Sequence, residues 1–293
     1  PAALIDFYPF TNLNALKVKD IINKLKEGNS AAEICDIPQE NIRYTPANNR
    51  TIFFAPYTRG EAIAKLATLK QDGVLEQLKR SELSGRGGAF FPTWKKWDTC
   101  RSYATSPKFI ICNADEGEPG TFKDRVLLSN QPGSVIEGMI AAAYTVGASY
   151  GMIYLRGEYR WLAKKLEEEI EAFHAQGLLG KSIAGIEGFD FDIRLELGAG
   201  AYVCGEETAL LESMEGKRGE PRTKTFFPVE KGYLGRPTVI NNVETLCAAA
   251  RIMELGHERF SSLGTPVTRG TKLISVGGDC NRPGIYELEW GMT

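Results

Sequence analysis

Four loops carry the residue types that can do chemistry. The first is Gly85-Arg86-Gly87-Gly88-Ala89-Phe90-Phe91-Pro92-Thr93. Closely spaced glycines let backbone N–H groups approach a phosphate or a flat ring, and Arg86 can add a charge-assisted hydrogen bond to an anion. It is not a Walker loop, because no Gly-Lys-Ser/Thr follows; taken alone, a glycine cluster between helices is a turn more often than not. The second loop, Asn113-Ala114-Asp115-Glu116-Gly117-Glu118-Pro119-Gly120, directly follows a predicted strand, where ligands of open α/β sheets bind. Its three carboxylates repel one another unless a ligand or cation uses them; the plainer reading is a solvated acidic turn. The third, Gly198-Ala199-Gly200-Ala201-Tyr202-Val203-Cys204-Gly205-Glu206-Glu207-Thr208, runs from strand through glycine turn to helix, and a helix N-terminus is a ready anion site. Glu206 and Glu207 also suit the first helical turn electrostatically. The fourth, Asn241-Asn242-Val243-Glu244-Thr245, has two Asn residues that can cap a helix and also read polar ring edges.

The elements between these loops alternate. Residues 11–35 read as one amphipathic helix, with Leu16, Val18, Ile21, Ile22 and Leu25 on one side and a solvated lysine face opposite. A second helix covers roughly 60–80. Lys108-Phe109-Ile110-Ile111-Cys112 is a short buried-strand run, and Ser134-x-x-Glu137 is a capping box opening a helix through Val146. Met152–Leu155 is a further strand, leading to a helix with Leu162, Leu166, Ile170 and Phe173 buried and Gly177 at its close. Phe191, Ile193, Leu195 and Leu197 alternate with charged residues, which is strand periodicity, and a helix from Glu206 to about Glu215 follows. This alternation predicts an α/β fold, a Rossmann-like and mostly parallel sheet with flanking helices. After Pro266, two strands joined by a glycine-containing loop read as the start of a small β-rich domain.

Composition narrows the function. The chain has 293 residues, 43% hydrophobic and 25% charged, with 35 basic against 37 acidic side chains. That balance predicts no nucleic-acid partner, and the apolar stretches are too short to span a bilayer, so no direct membrane insertion is expected. Six scattered cysteines without a C-x-x-C pair fit a reducing compartment and no iron–sulfur centre or other metal site within this stretch. The two histidines, His174 and His257, stand outside every loop above, which argues against a zinc site or a Ser-His-Asp hydrolase. The first residue is not Met and the last segment breaks off mid-pattern, so the sequence reads as part of a longer polypeptide.

All four loops in this order resemble the NADH-binding flavoprotein subunit of respiratory complex I and its relatives, the flavin (diaphorase) subunits of NAD-reducing hydrogenases and NAD-dependent formate dehydrogenases. The resemblance runs from about Leu83 to Glu254, and more loosely to Glu289. It is most specific over Asn113–Arg125, Gly198–Leu210 and Gly235–Leu246. It implies FMN in a cavity formed by Gly85, Arg86, Gly88, Lys96, Asn113, Asp115, Glu116, Tyr202, Gly205, Glu206, Asn241, Asn242 and Thr245. It implies NADH at Gly88, Phe91, Glu118, Glu207, Lys224 and Phe227, with the nicotinamide stacked on the flavin. No catalytic acid or base is expected, because hydride transfer between the rings needs none. The chain departs from the family at Phe90, where Gly is usual, at Trp94 and Lys95, where small or apolar residues are, and at Asp98-Thr99-Cys100, which replaces a stretch often bringing an aromatic to the adenine.

The resemblance therefore implies an FMN-dependent NADH dehydrogenase module that passes hydride between NAD(H) and FMN and single electrons onward to iron–sulfur subunits of a larger complex. A 4Fe-4S cluster is expected only beyond Thr293, and the location is expected to be cytoplasmic or the peripheral arm of a membrane complex. The domain expectation is an N-terminal helical segment over 1–60, the FMN/NADH-binding α/β domain over 61–262, and the start of a ubiquitin-like domain over 263–293. The rival is a non-catalytic interaction subunit; a vestigial site would have lost Gly88, Asn113 or Glu118, and all three are present.

Overall fold

A computed structural model describes residues 1–38, 42–44, 51–223 and 225–292. The chain opens with an antiparallel hairpin, β1 (Ala3–Ile5) and β2 (Tyr8–Phe10), followed by helices α1 (Ala15–Lys26) and α2 (Ala31–Ile34). Asn14 caps α1 by accepting from the Lys17 amide. The expected single helix over 11–35 is thus two helices, and the expected apolar side is mostly in solvent: Leu16 is 81% exposed, Val18 40% and Ile22 45%. Only Ile21 is buried, against Phe10 and Ala31, because a hairpin of two three-residue strands offers too narrow a surface to cover a whole helical stripe. Among the lysines, Lys17 is not free in solvent but pairs with Asp36 at 2.7 Å. Strand β3 (Ile42–Tyr44) follows, so the N-terminal 60 residues are not simply helical.

Helix α3 (Glu61–Ser81) carries a break at Lys70, whose φ is +55°. Helix α4 (Thr93–Ser102) then leads to the central strand β4 (Phe109–Ala114). Helices α5 (Lys123–Asn130) and α6 (Pro132–Val146), strand β5 (Tyr150–Leu155), helix α7 (Ala163–Ala175) and strand β6 (Asp192–Leu197) continue the alternation. Helices α8 (Glu207–Met214) and α9 (Pro228–Lys231), strand β7 (Thr238–Asn242) and helices α10 (Val243–Leu255) and α11 (His257–Ser261) complete it. The four strands form one fully parallel sheet in the order β6-β5-β4-β7, as the α/β pattern predicts. β4 is central and covered on both faces, which is why its sequence is a continuous apolar run rather than an alternation. On one face, α6 and α10 cross so tightly that a Cβ at Gly138 would meet the Leu246 carbonyl oxygen at 2.0 Å; only glycine fits there.

The expected capping box at Ser134 is replaced by something else. α6 starts at Pro132, one residue after Gln131, so Ser134 lies inside the helix. Glu137 instead reaches the next helix: its carboxylate accepts from Gly60 N at 2.7 Å, Ala62 N at 3.1 Å and the Tyr57 hydroxyl at 2.7 Å. It caps α3 from outside, a long-range solution to the same problem of orphan N–H groups.

Beyond α11, β8 (Thr271–Val276) and β9 (Gly284–Glu289) pair antiparallel, and β3 adds to the free edge of β9 in parallel. The edge left open by the C-terminal hairpin is thus closed by a strand from more than 200 residues earlier. Leu273 and Ile285 lie in the same buried apolar cluster as α3, α6 and α10.

Candidate functional site

The parallel register decides where the loops meet. Asn113 stands opposite Asn242 at the carboxyl ends of neighbouring strands β4 and β7, and the loop after β6 swings over both on its way into α8. This is the crevice where open parallel sheets bind ligands. A cleft of about 740 Å³ opens there, lined by Arg86, Gly88, Asn113, Asp115, Glu116 and Glu118 from the first two loops. Tyr202, Gly205, Glu206 and Asn242 come from the other two.

Hydrogen bonds lock the loops to one another. The first closes on itself through Gly85 N to Phe91 O at 2.9 Å and is tied to the fourth through Arg86 N to Thr245 Oγ1 at 2.9 Å. Asn113 Nδ2 donates to Gly205 O at 2.9 Å, joining the second to the third. The Tyr202 hydroxyl donates to Glu118 at 2.6 Å across the mouth. Asn242 caps α10 by accepting from Glu244 N at 3.0 Å, and its amide donates to Asp124 at 2.6 Å. Asn241 caps nothing; it is buried in β7, where its oxygen accepts from the Trp97 indole at 2.8 Å. Gly88 has a φ of +108° and no atom within 4 Å of where a Cβ would sit, so it leaves the cleft floor bare in a conformation other residues rarely adopt. Phe90 also has a positive φ, of 53°, at the position where the resemblance expects glycine. Its ring lies edge-on to Trp290 at 6.1 Å, a packing gain that offsets a backbone cost of roughly 1 kcal/mol.

Two of the expected carboxylates serve local structure as well as lining the cleft. Glu206 is the N-cap of α8, accepting from Thr208 N and Ala209 N. Glu116 accepts from Asp124 N at 2.7 Å, at the start of α5, and from the Tyr159 hydroxyl at 2.9 Å. Burial, reinforced by Asp124, pushes the Glu116 carboxyl well up from its ordinary value. Burial likewise pushes Asp115 up to about 6, and its Oδ2 has no hydrogen-bond partner among the described residues.

Other expected residues stand off the cleft wall. Asn241 and Thr245 are buried behind it, and Gly85 sits at the base of its loop. Lys96 donates to Ile240 O at 3.0 Å and lies 3.4 Å from Glu207, forming a half-buried pair next to Glu206. Phe91 is 45% exposed and Phe227 70% exposed, so neither is core. Lys224 falls outside the described residues.

Residues not anticipated also line the cleft, above all Lys123 and Lys272. Lys123 is buried between Asp124 at 2.7 Å and Glu244 at 2.8 Å. Burial opposes its charge, yet the two carboxylates outweigh that and hold its proton more firmly than usual. Lys123 was missed although it sits within the Asn113–Arg125 stretch, the signal that could have pointed to it. Lys272 comes from β8, far along the chain, with no local signal. The cleft lining thus carries both signs: Arg86, Lys123 and Lys272 gather about Glu244 as its basic end, and Glu118 and Glu206 add carboxylates to the lining.

Comparison with known proteins agrees with this geometry. The family described as the Nuo51 FMN-binding domain matches residues 78–251. The alpha subunit of the NAD-reducing hydrogenase HoxS of Cupriavidus necator is 52% identical across the whole chain, which spans 50% of that relative. One subunit of an NADH-quinone oxidoreductase of Rhizobium meliloti is 47% identical over 76% of this chain and 52% of its own length. A crystal structure of an NAD⁺-reducing [NiFe]-hydrogenase in the H₂-reduced state superposes with a TM-score of 0.87 at 42% identity, covering all of this chain and 50% of that one. The chain thus spans about half the length of the relatives it matches. Four interlocked loops at the carboxyl edge of a parallel sheet, and the match over most of that sheet, lead to one conclusion: this chain belongs to the Nuo51 FMN-binding domain family.

Proposed function

We propose that this chain is the FMN- and NADH-binding module of a multisubunit oxidoreductase, passing hydride between NAD(H) and FMN and single electrons to iron–sulfur subunits. The observation that carries the reading is Arg86. The residue is 2% exposed, lines the cleft, and leaves Nε and Nη1 without hydrogen-bond partners among the described residues. A buried cation with unsatisfied donors is costly unless an anion completes it, and a flavin phosphate is such an anion. The bare floor at Gly88 suits a flat ring, and the amide and carboxylate groups of Asn113, Asp115, Glu118 and Asn242 suit a ring edge and ribityl hydroxyls.

FMN, when bound, supplies the conversion between a two-electron hydride and single electrons. The protein binds, orients and shields, and no side chain need act as acid or base. Gly88 lets the nicotinamide approach face to face; Phe91 and Phe227 supply exposed aromatic surface for adenine, and Glu207 and Lys224 polar contacts for the rest of the dinucleotide. The iron–sulfur partners belong to the remainder of the complex, and a cytoplasmic or peripheral-arm location fits that role; among the described residues no helix is long and apolar enough to cross a membrane.

Flavin titration tests the reading. The protein is expected to take up FMN reversibly, to hold it more tightly than riboflavin, and then to reduce ferricyanide with NADH. Protein that stays colourless with FMN, or binds it without NADH reducing it, contradicts the proposal.

A further inference from the structure

The basic end of the cleft is built from two parts of the fold. Arg86 comes from the glycine loop and Lys123 from the start of α5, but Lys272 comes from β8 in the second sheet. Several contacts draw that sheet against the cleft. Leu273 N donates to Glu244 Oε1 at 3.1 Å, Phe122 N donates to Ser275 Oγ at 3.0 Å, and Arg86 Nη2 donates to the Arg269 carbonyl at 3.3 Å. The Trp290 ring gathers two of the cations, with the Arg86 guanidinium 5.4 Å and the Lys272 amine 5.9 Å from its centroid.

The charges at this end do not balance. Lys123 absorbs both close carboxylates, Asp124 at 2.7 Å and Glu244 at 2.8 Å. Glu116, the next acid along, spends its oxygens on Asp124 N, Arg125 N and the Tyr159 hydroxyl. Lys272 is left 3.7 Å from Glu244, too far for a hydrogen bond, and Arg86 makes no ion pair among the described residues. Burial lowers the proton affinity of both Lys272 and Arg86, Glu244 opposing it in each case; Lys123 and Arg86 add repulsion at Lys272. Two cations are thus held together, half-desolvated, around one shared carboxylate. That arrangement is unfavourable by itself and becomes favourable when a multiply charged anion lies between them.

We infer that Lys272 is a phosphate-binding residue of this cleft, acting with Arg86 on the terminal phosphate monoester of the flavin, so that the second sheet completes the flavin site. The inference rests on the flavin reading above and adds to it a residue outside all four loops. It also gives the C-terminal hairpin a role in recognition, because β8 places the ammonium that distinguishes FMN from the uncharged riboflavin. The dinucleotide pyrophosphate has the same chemistry, and the two sources are told apart by the readout: a contact to the flavin phosphate changes the FMN-over-riboflavin ratio, a contact to the pyrophosphate the KM for NADH.

The test is a flavin titration of the intact protein, stripped of flavin, as wild type, Lys272→Met and Lys272→Arg. Lys272→Met is expected to lower the FMN-over-riboflavin affinity ratio by roughly tenfold or more while riboflavin affinity stays unchanged. Lys272→Arg should restore most of the ratio. The flavin-free Lys272→Met protein should melt no lower than wild type, since it loses a repulsive charge; a lower melting point with both flavins weakened equally would show a purely structural partner of Glu244 and overturn the inference. A raised KM for NADH with the flavin ratio intact would place Lys272 on the dinucleotide and overturn it too. Wild-type protein that prefers FMN while Lys272→Met keeps the same preference overturns this assignment alone. Wild-type protein that binds neither flavin overturns the flavin reading and this inference with it.

Discussion

The Trp97 indole N–H donates to Asn241 Oδ1 at 2.8 Å, and both side chains are buried. This bond sets which way the Asn241 amide faces behind the cleft wall. Trp97 lies on α4 and Asn241 on β7, so the helix after the glycine loop orients a polar group on the sheet. Trp97→Phe keeps most of the apolar volume and removes the donor. The expected loss is about 1–2 kcal/mol of stability and several-fold in FMN affinity. Chemical denaturation and flavin titration measure both; an unchanged FMN affinity would mean that Asn241 serves the core only.

Glu207 is expected to set nucleotide choice. It is half-exposed beside Lys96, and a 2′-phosphate near it would meet a carboxylate. Glu207→Gln should raise NADPH use and lower NADH use modestly, shifting the ratio of kcat/KM by on the order of tenfold or more. If that ratio is the same in both proteins, Glu207 only supports the first turn of α8 and its Lys96 pair.

Asp115 should make stability depend on pH. Burial raises its folded value to about 6 from an ordinary 3.8. An acid that holds its proton more tightly when folded destabilises the fold fully above about pH 6, and that penalty is relieved as pH falls towards the unfolded value. Asp115→Asn is therefore expected to stabilise the flavin-free protein by about 1–2 kcal/mol at pH 8, with the gain gone by about pH 4. Denaturation midpoints of both proteins across that range check the sign; a gain that persists at low pH points to a different cause.

Gly88→Ala should separate flavin binding from nicotinamide access. A methyl group meets no protein atom there, so the cost to the fold is the left-handed backbone, about 1 kcal/mol. On the proposed stacking, the methyl would project towards the nicotinamide. FMN affinity should fall little while NADH-driven flavin reduction drops by at least a hundredfold in stopped flow. Normal reduction would remove Gly88 from the stacking surface.

Glu137 is expected to matter for stability and not for chemistry. Its carboxylate accepts from two amides at the start of α3 and from Tyr57, all away from the cleft. Glu137→Ala strands those donors and should cost about 2–4 kcal/mol. The surviving folded protein should bind FMN as wild type does, and a change in flavin affinity would tie α3 to the site.

The α/β class, three of the four parallel strands, the four loops and their order along the chain were legible in the sequence because each shows in residues close in number. β7 was not, because Asn241 and Asn242 read as helix-capping and ring-edge residues and not as the end of a strand. β4 reads as a strand from four consecutive apolar residues, Phe109 to Cys112, and the glycine turns announce themselves by composition. The helix start at Glu206–Glu207 was legible for the same reason. What only the tertiary structure decided are the partnerships between distant segments. Local pattern assigned Glu137 to its own helix at Ser134, but packing gave it to α3, some 75 residues away. The apolar stripe of Leu16, Val18 and Ile22 looked like a core face, yet burial depends on what stands opposite, and the hairpin there is too small. β3 carries no sign of pairing with β9, nor Lys272 of facing Arg86, because strand pairing and ion placement are set by the closing of the whole fold. The loops that name the chemistry are local in sequence; the charge that finishes one end of the cleft is not, and only folding brings β8 to it.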